Sequence, residues 1–297
     1  MAVTLMRHES QSGQLNAFAR DEPCLIGELS AADEAEVLEF LSARRMHTVF
    51  MASLIQDNGL LSPHNRGSFY SCRDRYGRLE GVALLGHATL IEARSENALV
   101  SFARLGRNCL NAHLIRGEQE TIHSFWEHYA NNGQQPRLIS RELLFEQKAP
   151  VAFSEAADLR PATLNDFDKV VAVNAAMALQ EAGTSPLQND PSGFRSRTAR
   201  RIEKGRIWVW MQDDRLVFKA DVVAETPQVT YLEGVHVHPE ERRKGYGLRG
   251  LASLSSMLLE RSESICLTFN EKNKNALKFY EKAGYKFHSH YETIYLR

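Results

Sequence analysis

Apolar and polar residues recur along the chain at two spacings, and the change from one to the other predicts a mixed α and β protein. Ser30 followed by Asp33 is the sequence pattern of a helix N-terminus, and helical spacing after it predicts a helix over about 31–43. The rest of the first half is predicted to contain a strand pair flanking 74–77, a strand over 89–93, a helix around 99–105, a strand over 113–115, a helix over 119–130 and a strand over 143–146.

The periodicity lapses over about 148–158, around Pro150, which is typical of an exposed connection between domains. The length of 297 residues also favours two domains, so we divide the chain into 1–150 and 151–297. The second half is predicted to contain a strand over 159–162, a capped helix over 163–173, a loop over 183–193, a basic helix over 195–204, strands over 207–211, 216–223 and 229–237, a helix over about 246–260, a strand over 265–269, a helix over 273–283 and one or two strands over 285–296. We expect the three central strands to form an antiparallel meander and the strand over 265–269 to run parallel to the third, which makes the fold class α/β (α+β).

Composition excludes several classes of function. Hydrophobic residues make up 43% of the chain and the formal net charge is -1, so no overall field attracts nucleic acid or an anionic membrane. No apolar run is long enough to span a membrane and residues 1–20 lack the apolar core of a signal peptide, so we expect a cytoplasmic protein. The cysteines form no CxxC pair and are expected to be reduced thiols: Cys24, Cys72, Cys109 and Cys266.

A strand ending at Val237 leads into a basic loop with two glycines and then into a long helix. Gly245 and Gly247 have no Cβ to obstruct a diphosphate, and the first amides of the helix have no partners within it. The helix dipole favours an anion at this end. Three cations stand beside the glycines, Arg242, Arg243 and Lys244. The segment therefore predicts a pyrophosphate site.

This segment resembles the Q/R-x-x-G-x-G/A signature of the GNAT superfamily of acyl-CoA N-acyltransferases, with Arg242, Gly245 and Gly247 at its defining positions. Residues 273–285 resemble the second signature of the superfamily, N-x-x-A-x-x-x-Y-x-x-x-G-F/Y, in the expected order. The segments 181–187 and 217–221 are similar to a bacterial two-domain GNAT subfamily with a degenerate N-terminal half. Two tandem GNAT-like domains are thereby implied, each a mixed, largely antiparallel sheet flanked by helices.

The resemblance implies that the strands over 229–237 and 265–269 splay apart and that the pantetheine arm of acetyl-CoA, the cosubstrate, lies between them. No metal is implied. Backbone N–H groups near 235–237 would stabilise the oxyanion, and Tyr280 would protonate the leaving thiolate. The implied CoA-binding residues are Val235, His236, Val237, Arg242, Arg243, Lys244, Gly245, Tyr246, Gly247, Asn273, Ala276 and Tyr280. The first half has no R-x-x-G-x-G after its strand over 89–93, so we expect no CoA site there.

Glu233 is our candidate for the base, because it has the parity of the apolar residues in its strand and interrupts their row. Partial burial would make its carboxylate a better proton acceptor near neutral pH. Gly234 is consistent with a bulge that reverses the alternation, in which case His236 becomes the inward group. His236 and His238 alternate like a metal pair, but no third ligand accompanies them. The basic helix over 195–204 is interpreted as a solvated face.

The function predicted from these features is transfer of an acetyl group from acetyl-CoA to a primary amine of a small molecule or peptide. One alternative is a non-catalytic acyl-CoA sensor. Another is an aminoacyl transferase that uses charged tRNA, which the intact pyrophosphate motif and the absence of a basic character disfavour. We expect acetyl-CoA and the amine as partners, with no nucleic acid and no membrane. The oligomeric state is open, and the tandem halves are able to act as a pseudo-dimer.

Overall fold

The computed structural model describes residues 24–130, 133, 135–153, 156 and 158–296. Its first half contains β1 (Leu25–Glu28), α1 (Glu34–Ser42), α2 (Arg45–Asn58), β2 (Gly67–Arg73), β3 (Leu79–Gly86), β4 (Ala88–Ala93), α3 (Glu96–Gly106), β5 (Leu114–Glu118), α4 (Gln119–Tyr129) and β6 (Leu138–Gln147). Its second half contains β7 (Leu159–Pro161), α5 (Phe167–Ala182), α6 (Pro186–Asn189), α7 (Pro191–Glu203), β8 (Ile207–Gln212), β9 (Arg215–Glu225), β10 (Val229–Val237), α8 (Tyr246–Leu259), β11 (Ser264–Asn270), α9 (Lys274–Lys282) and β12 (Lys286–Tyr295).

These strands form one continuous, largely antiparallel sheet in the order β1-β2-β3-β4-β5-β12-β6-β11-β10-β9-β8-β7. The predicted α/β class is confirmed, as are the antiparallel meander of β8, β9 and β10 and the parallel pairing of β10 with β11. One departure lies between α5 and α7. The predicted loop over 183–193 contains α6 and the start of α7, because Pro186 and Pro191 each stand in the first turn of a helix, where a missing N–H costs nothing.

Two strands cross between the halves of the sheet. β6 belongs to the first half of the chain but pairs with β11, where Phe145 lies opposite Leu267. β12, the last strand, pairs with β5, where Ile294 lies opposite Ile115. Because β6 and β12 are also neighbours, residues of the first half lie directly beside the β10–β11 pair.

Apolar side chains cover both faces of the sheet at β10 and β11. On one face Leu232 and Leu267 pack with Leu251 and Leu254 of α8. On the other face Tyr231 packs in a cluster with residues of α2. The two strands are therefore held between helices.

The described residues include no helix with the length and apolar character needed to cross a bilayer.

The thiol prediction is wrong for two of the four cysteines. The structure joins Cys24 to Cys72 as a disulfide, with their Cα atoms 5.7 Å apart, so that the segment entering β1 is tied to β2. Cys109 and Cys266 are free. Cys24 and Cys72 are 48 residues apart in sequence, so no local motif indicated that they would pair. They are brought together because β1 and β2 are neighbouring strands.

The interpretation of the basic helix, now α7, as a solvated face is also incomplete. Arg200 Nη2 donates to Asn58 Oδ1 of α2 at 2.8 Å. Lys204 and Arg206, just after the helix, both pair with Asp57, at 3.4 Å and 2.8 Å. Part of this cationic surface therefore contacts the end of α2.

Candidate functional site

β10 and β11 separate part-way along their length. They pair from Val229 opposite Ser264 to Leu232 opposite Leu267, and no further. β11 continues beside β6 as far as Asn270, whereas β10 continues beside β9 as far as Val237. A V-shaped cleft therefore opens between the two strands, as the resemblance implied.

A bulge lies at the start of this cleft. Glu233 is opposite Asp221 and His236 is opposite Lys219, so Gly234 and Val235 together face a single residue of β9. Gly234 has φ +61°, and a Cβ there would lie 2.8 Å from Lys219 Nζ. This position therefore requires glycine for both its backbone conformation and its space.

The bulge reverses the alternation of side chains along β10. Val235 and Val237 pack with the α8 cluster, whereas Val229 and Tyr231 pack with the α2 cluster. The expectation that Glu233 shares a face with Val235 and Val237 is therefore wrong. Glu233 instead lies on the same face of the sheet as His236. Glu233 is opposite Asp221 and His236 is opposite Lys219. Lys219 and Asp221 are two residues apart on β9 and form a buried ion pair, so their side chains, and those opposite them, share one face.

The backbone beyond the bulge presents an amide to the cleft. His238 N donates to Val217 O of β9 at 3.0 Å. Because successive N–H groups of a strand point in opposite directions, the Val237 N–H points away from β9 and into the cleft, and the His236 N–H points towards β9.

The loop after β10 ends in an open helix N-terminus. Arg243 and Gly245 have left-handed backbones, with φ of 66° and 93°, and α8 begins directly after them. The first helical bond at this end runs from Arg249 N to Gly245 O at 3.1 Å. The N–H groups of Tyr246, Gly247 and Leu248 therefore have no carbonyl acceptor within the helix.

The geometry of this turn fits a diphosphate. A Cβ on Gly247 would lie 3.0 Å from both Phe279 Cε2 and Val237 Cγ2, whereas a Cβ on Gly245 would meet nothing closer than Arg249 Cδ at 3.9 Å. The turn is thus tightly packed on its inner side and open on its outer side. The three cations of the motif lie on this turn: Arg242 Nε donates to Val237 O at 3.3 Å, Lys244 pairs with Glu241 at 3.0 Å, and Arg243 is the residue between them in sequence.

The second signature lies beside the same cleft. Asn273 caps α9 by accepting a hydrogen bond from Ala276 N at 3.0 Å. Tyr280 of α9 is buried, and its ring centroid lies 5.0 Å from that of Phe269 on β11. Burial, and then the negative charge of Glu181, raise the pKa of the Tyr280 hydroxyl above its ordinary value. The hydroxyl therefore keeps its proton near neutral pH.

An arginine that sequence reasoning missed lies at the base of the cleft. Arg116 of β5 donates from Nη1 to Glu233 Oε1 at 2.7 Å, and from Nη2 to Tyr231 Oη and Thr268 Oγ1, both at 2.7 Å. Its Nη2 also contacts Glu142 of β6 at 3.2 Å. Glu233 therefore already accepts a hydrogen bond from a fixed cationic partner, so Arg116 occupies one of the oxygens that the predicted role of base requires. The only feature of the sequence that could have indicated Arg116 was its position directly after the predicted strand over 113–115.

His236, the alternative base, is also a poor proton acceptor near neutral pH. Burial, reinforced by the charges of Lys219 and Arg242, lowers the pKa of its imidazole to about 4. The ring is therefore neutral and weakly basic under ordinary conditions. The described residues contain no group of three histidine, cysteine or acidic side chains placed to hold a metal ion.

A second carboxylate that sequence reasoning missed is Glu181, in the last turn of α5. The residue is exposed at the surface, but neighbouring protein partly desolvates its carboxylate, and this desolvation together with the charges of Glu233 and Glu142 raises its pKa to about 7. A pKa this close to neutrality is a property expected of a general base. Sequence reasoning ended the helix near residue 173 and named Glu181 only within the segment 181–187 that is similar to the two-domain subfamily, without a catalytic role.

The first half contains a related but closed arrangement. β4 and β5 pair in parallel only at Ala88–Leu114 and Thr89–Ile115, and α3 follows β4. The opening beyond them holds Arg44, which forms ion pairs with Glu92 and Glu118. At the start of α3, the Ser95 side chain accepts from Ala98 N and Glu96 adds negative charge. The N-terminus of α3 is therefore capped by a side chain and carries an acidic residue, whereas the N-terminus of α8 has no side-chain cap and follows three cationic residues.

Comparison with solved structures agrees with this geometry. The family model described as FR47-like protein matches residues 219–294, which include the bulge, the cleft and both signatures. An acetyltransferase from the GNAT family of Colwellia psychrerythraea superposes with a TM-score of 0.55, covering 92% of this chain and 100% of its own, at 12% identity. The chain has the GNAT fold.

Two further comparisons extend over both halves. A tandem GNAT protein from the clavulanic acid biosynthesis pathway, solved without AcCoA, gives a TM-score of 0.56 at 13% identity and covers 92% of this chain and 98% of its own. A Drosophila protein gives a TM-score of 0.64 at 12% identity, with 92% and 99% covered. At these identities the likeness concerns the fold alone. A search of curated proteins found no match.

Proposed function

We propose that this protein transfers an acetyl group from acetyl-CoA to a primary amine of a small molecule or peptide by direct attack of the amine on the thioester. The observation that carries the proposal is the open N-terminus of α8 beside the cleft between β10 and β11. A diphosphate needs amide donors and positive charge, and a pantetheine arm needs a strand edge without a partner. Both features lie on consecutive segments of this chain.

In this proposal the amides of Tyr246, Gly247 and Leu248 bind the diphosphate, and three cations neutralise it: Arg242, Arg243 and Lys244. The unpaired edge of β10 binds the pantetheine arm. The Val237 N–H donates to the thioester oxygen as negative charge develops there, which is the interaction that lowers the barrier. Tyr280 then gives its hydroxyl proton to the departing sulfur. Asn273 and Ala276 hold α9, and with it Tyr280, in place through the cap.

We also propose that residues 151–297 carry the reaction and that residues 1–150 form a degenerate half without a CoA site. Arg44 between Glu92 and Glu118, and the capped start of α3, support this assignment. The first half contributes instead through β5 and β6, whose Arg116 and Glu142 lie in the cleft. Titration should therefore give one acetyl-CoA per chain, and two would contradict the assignment.

The test of the activity combines binding with turnover. Calorimetry measures acetyl-CoA binding, and a thiol reagent measures CoA release in the presence of a panel of amines: alkylamines, diamines, amino sugars and peptides with free N-termini. Release that depends on an amine, with the acetylated amine identified by mass spectrometry, supports the transferase. Binding without release from any member of the panel favours the acyl-CoA sensor instead.

A further inference from the structure

Three carboxylates surround the cleft, and two of them are already engaged. Glu233 accepts from Arg116 at 2.7 Å. Glu142 accepts from Thr268 Oγ1 at 2.8 Å and from Thr293 Oγ1 at 2.9 Å, and it also contacts Arg116. The Glu181 side chain forms no hydrogen bond or ion pair with any residue that the structure describes. It is thus the carboxylate of the three that has lone pairs available to a substrate.

The helix that carries Glu181 is fixed across the cleft. α5 packs against β10 on one side. At its other end, the carbonyl of Ala182 accepts from Arg137 Nη1 at 2.7 Å, and the Arg137 guanidinium lies 5.4 Å from the ring centroid of Tyr295 on β12. Gly183, with φ +68°, ends the helix immediately afterwards. The last turn of α5 therefore spans from β10 towards the β12 side and holds Glu181 over the opening.

The surroundings of Glu181 are acidic and also include the proposed acid. Charged or titratable groups from five different elements interact with it: Glu233 on β10, Glu142 on β6, Arg116 on β5, Lys219 on β9 and Tyr280 on α9. Lys219 is paired with the buried Asp221 and Arg116 with Glu233, so these four charges cancel in pairs. Among the groups that interact with Glu181, the charge left after this pairing is the negative one of Glu142, which favours an acceptor that arrives as a cation.

We propose that Glu181 is the catalytic base that takes the proton from the ammonium form of the acceptor, and that the net negative charge of Glu142 and Glu233 together with Arg116 of the first half attracts that cation to the cleft. This inference rests on the proposed function. The acceptor class it names is a cationic primary amine. The pKa of Glu181, raised to about 7 by its surroundings, suits the role, because the group is partly ionised at neutral pH and still basic.

The proton balance of the step is complete. The Glu181 carboxylate takes one proton from the R–NH₃⁺ acceptor, and the freed amine nitrogen forms a bond to the thioester carbon. The carbon–sulfur bond breaks, and the sulfur takes the hydroxyl proton of Tyr280. The second proton lost by the nitrogen returns to the Tyr280 oxygen through water. Glu181 then releases its proton to solvent, so that each turnover yields one amide, one CoA thiol and one proton.

The test compares E181Q with D168N, which removes a carboxylate from the same helix at an exposed site. The probes are acetyl-CoA and 1,4-diaminobutane, an amine with a second positive charge. We expect kcat/KM of the unaltered protein to rise with pH through about 7, and E181Q to lose this rise together with about 100-fold of activity. D168N should keep both the activity and the profile, and acetyl-CoA affinity should be the same in all three proteins.

The outcomes separate this inference from the proposed function. If diaminobutane is acetylated and E181Q retains the rate and the pH profile, Glu181 is not the base, although the transferase stands. If acetyl-CoA binds but diaminobutane is not acetylated, the acceptor class named here is wrong; the amine panel then decides whether the transferase itself stands. An independent measurement is the carboxyl ¹³C titration of glutamate-labelled protein. A signal that titrates near pH 7 and is missing from E181Q supports the assignment, and its absence from the unaltered protein overturns it.

Discussion

Replacing Arg116 with methionine should destabilise both halves of the protein at once. The guanidinium is 17% exposed and pairs with Glu142, which is 11% exposed, and with Glu233, which is 37% exposed. Breaking a buried ion pair by removing one partner typically costs 3–5 kcal/mol, because the other charge is left without compensation. Glu142 keeps two hydroxyl donors and Glu233 is near solvent, so we expect a value at the lower end, about 3 kcal/mol.

Urea unfolding followed by tryptophan fluorescence measures this loss, since Trp126 reports on α4 of the first half and Trp208 and Trp210 report on β8 of the second. A double-mutant cycle of R116M with E142Q isolates their interaction. Once Glu142 is neutral, removing Arg116 should cost less, with a coupling of about 1–3 kcal/mol. The slope of free energy against urea should stay constant.

The matched control is R45M, which removes another ion pair between the halves, Arg45 with Glu263 at 2.6 Å. Both partners of that pair are about half exposed, so its loss should cost less than about 1 kcal/mol. If R116M is no more destabilising than R45M, or if R116M and E142Q are additive, the reasoning about a buried network that joins the halves is refuted.

Two further predictions concern Tyr280 and Asp166. Y280F should lower kcat by roughly 100-fold and leave acetyl-CoA affinity nearly unchanged, because it removes a proton donor and keeps the ring; equal turnover in the two proteins would exclude the acid role. The pKa of Asp166 is lowered from 3.8 to about 2, first by its hydrogen bond with Arg160. Because the folded value lies below the unfolded one, this stabilisation is complete above about pH 5 and is lost as pH falls towards 2. Acid titration of D166N should therefore show about 2 kcal/mol less pH dependence over that range, and identical curves would contradict the assignment.

Local patterns were sufficient to predict the elements of the second half that form the proposed CoA site. The glycines and cations of 242–247, the helix after them and the two parallel strands are consecutive in sequence, so spacing and periodicity describe them fully. The same holds for the cap formed by Asn273. Even the bulge at Gly234 was foreseen as an alternative, because an isolated glycine in a strand often marks one.

The rest of the site depends on contacts between distant parts of the chain. Arg116 meets Glu233 only because β12 and β6 cross between the halves of the sheet, and nothing in the periodicity of these strands specifies their neighbours. Glu181 is placed over the cleft by Arg137, a residue outside its own helix. The choice of Glu233 as base rested on its parity with the apolar residues of β10, which says nothing of the partner that its carboxylate meets. That partner comes from the other half of the chain.

The most direct test of the central claim, that the open turn before α8 binds the diphosphate of CoA, is calorimetric titration of acetyl-CoA into three proteins: unaltered, G245V and G77V. Gly245 and Gly77 have similar left-handed backbones, φ +93° and +81°, so both variants carry comparable backbone strain, but Gly77 lies in the turn between β2 and β3. We predict that the unaltered protein and G77V bind one acetyl-CoA with equal affinity and that G245V binds at least about tenfold more weakly, a loss of about 1.4 kcal/mol. Equal affinity in all three folded proteins, or no binding by the unaltered protein, would contradict the account.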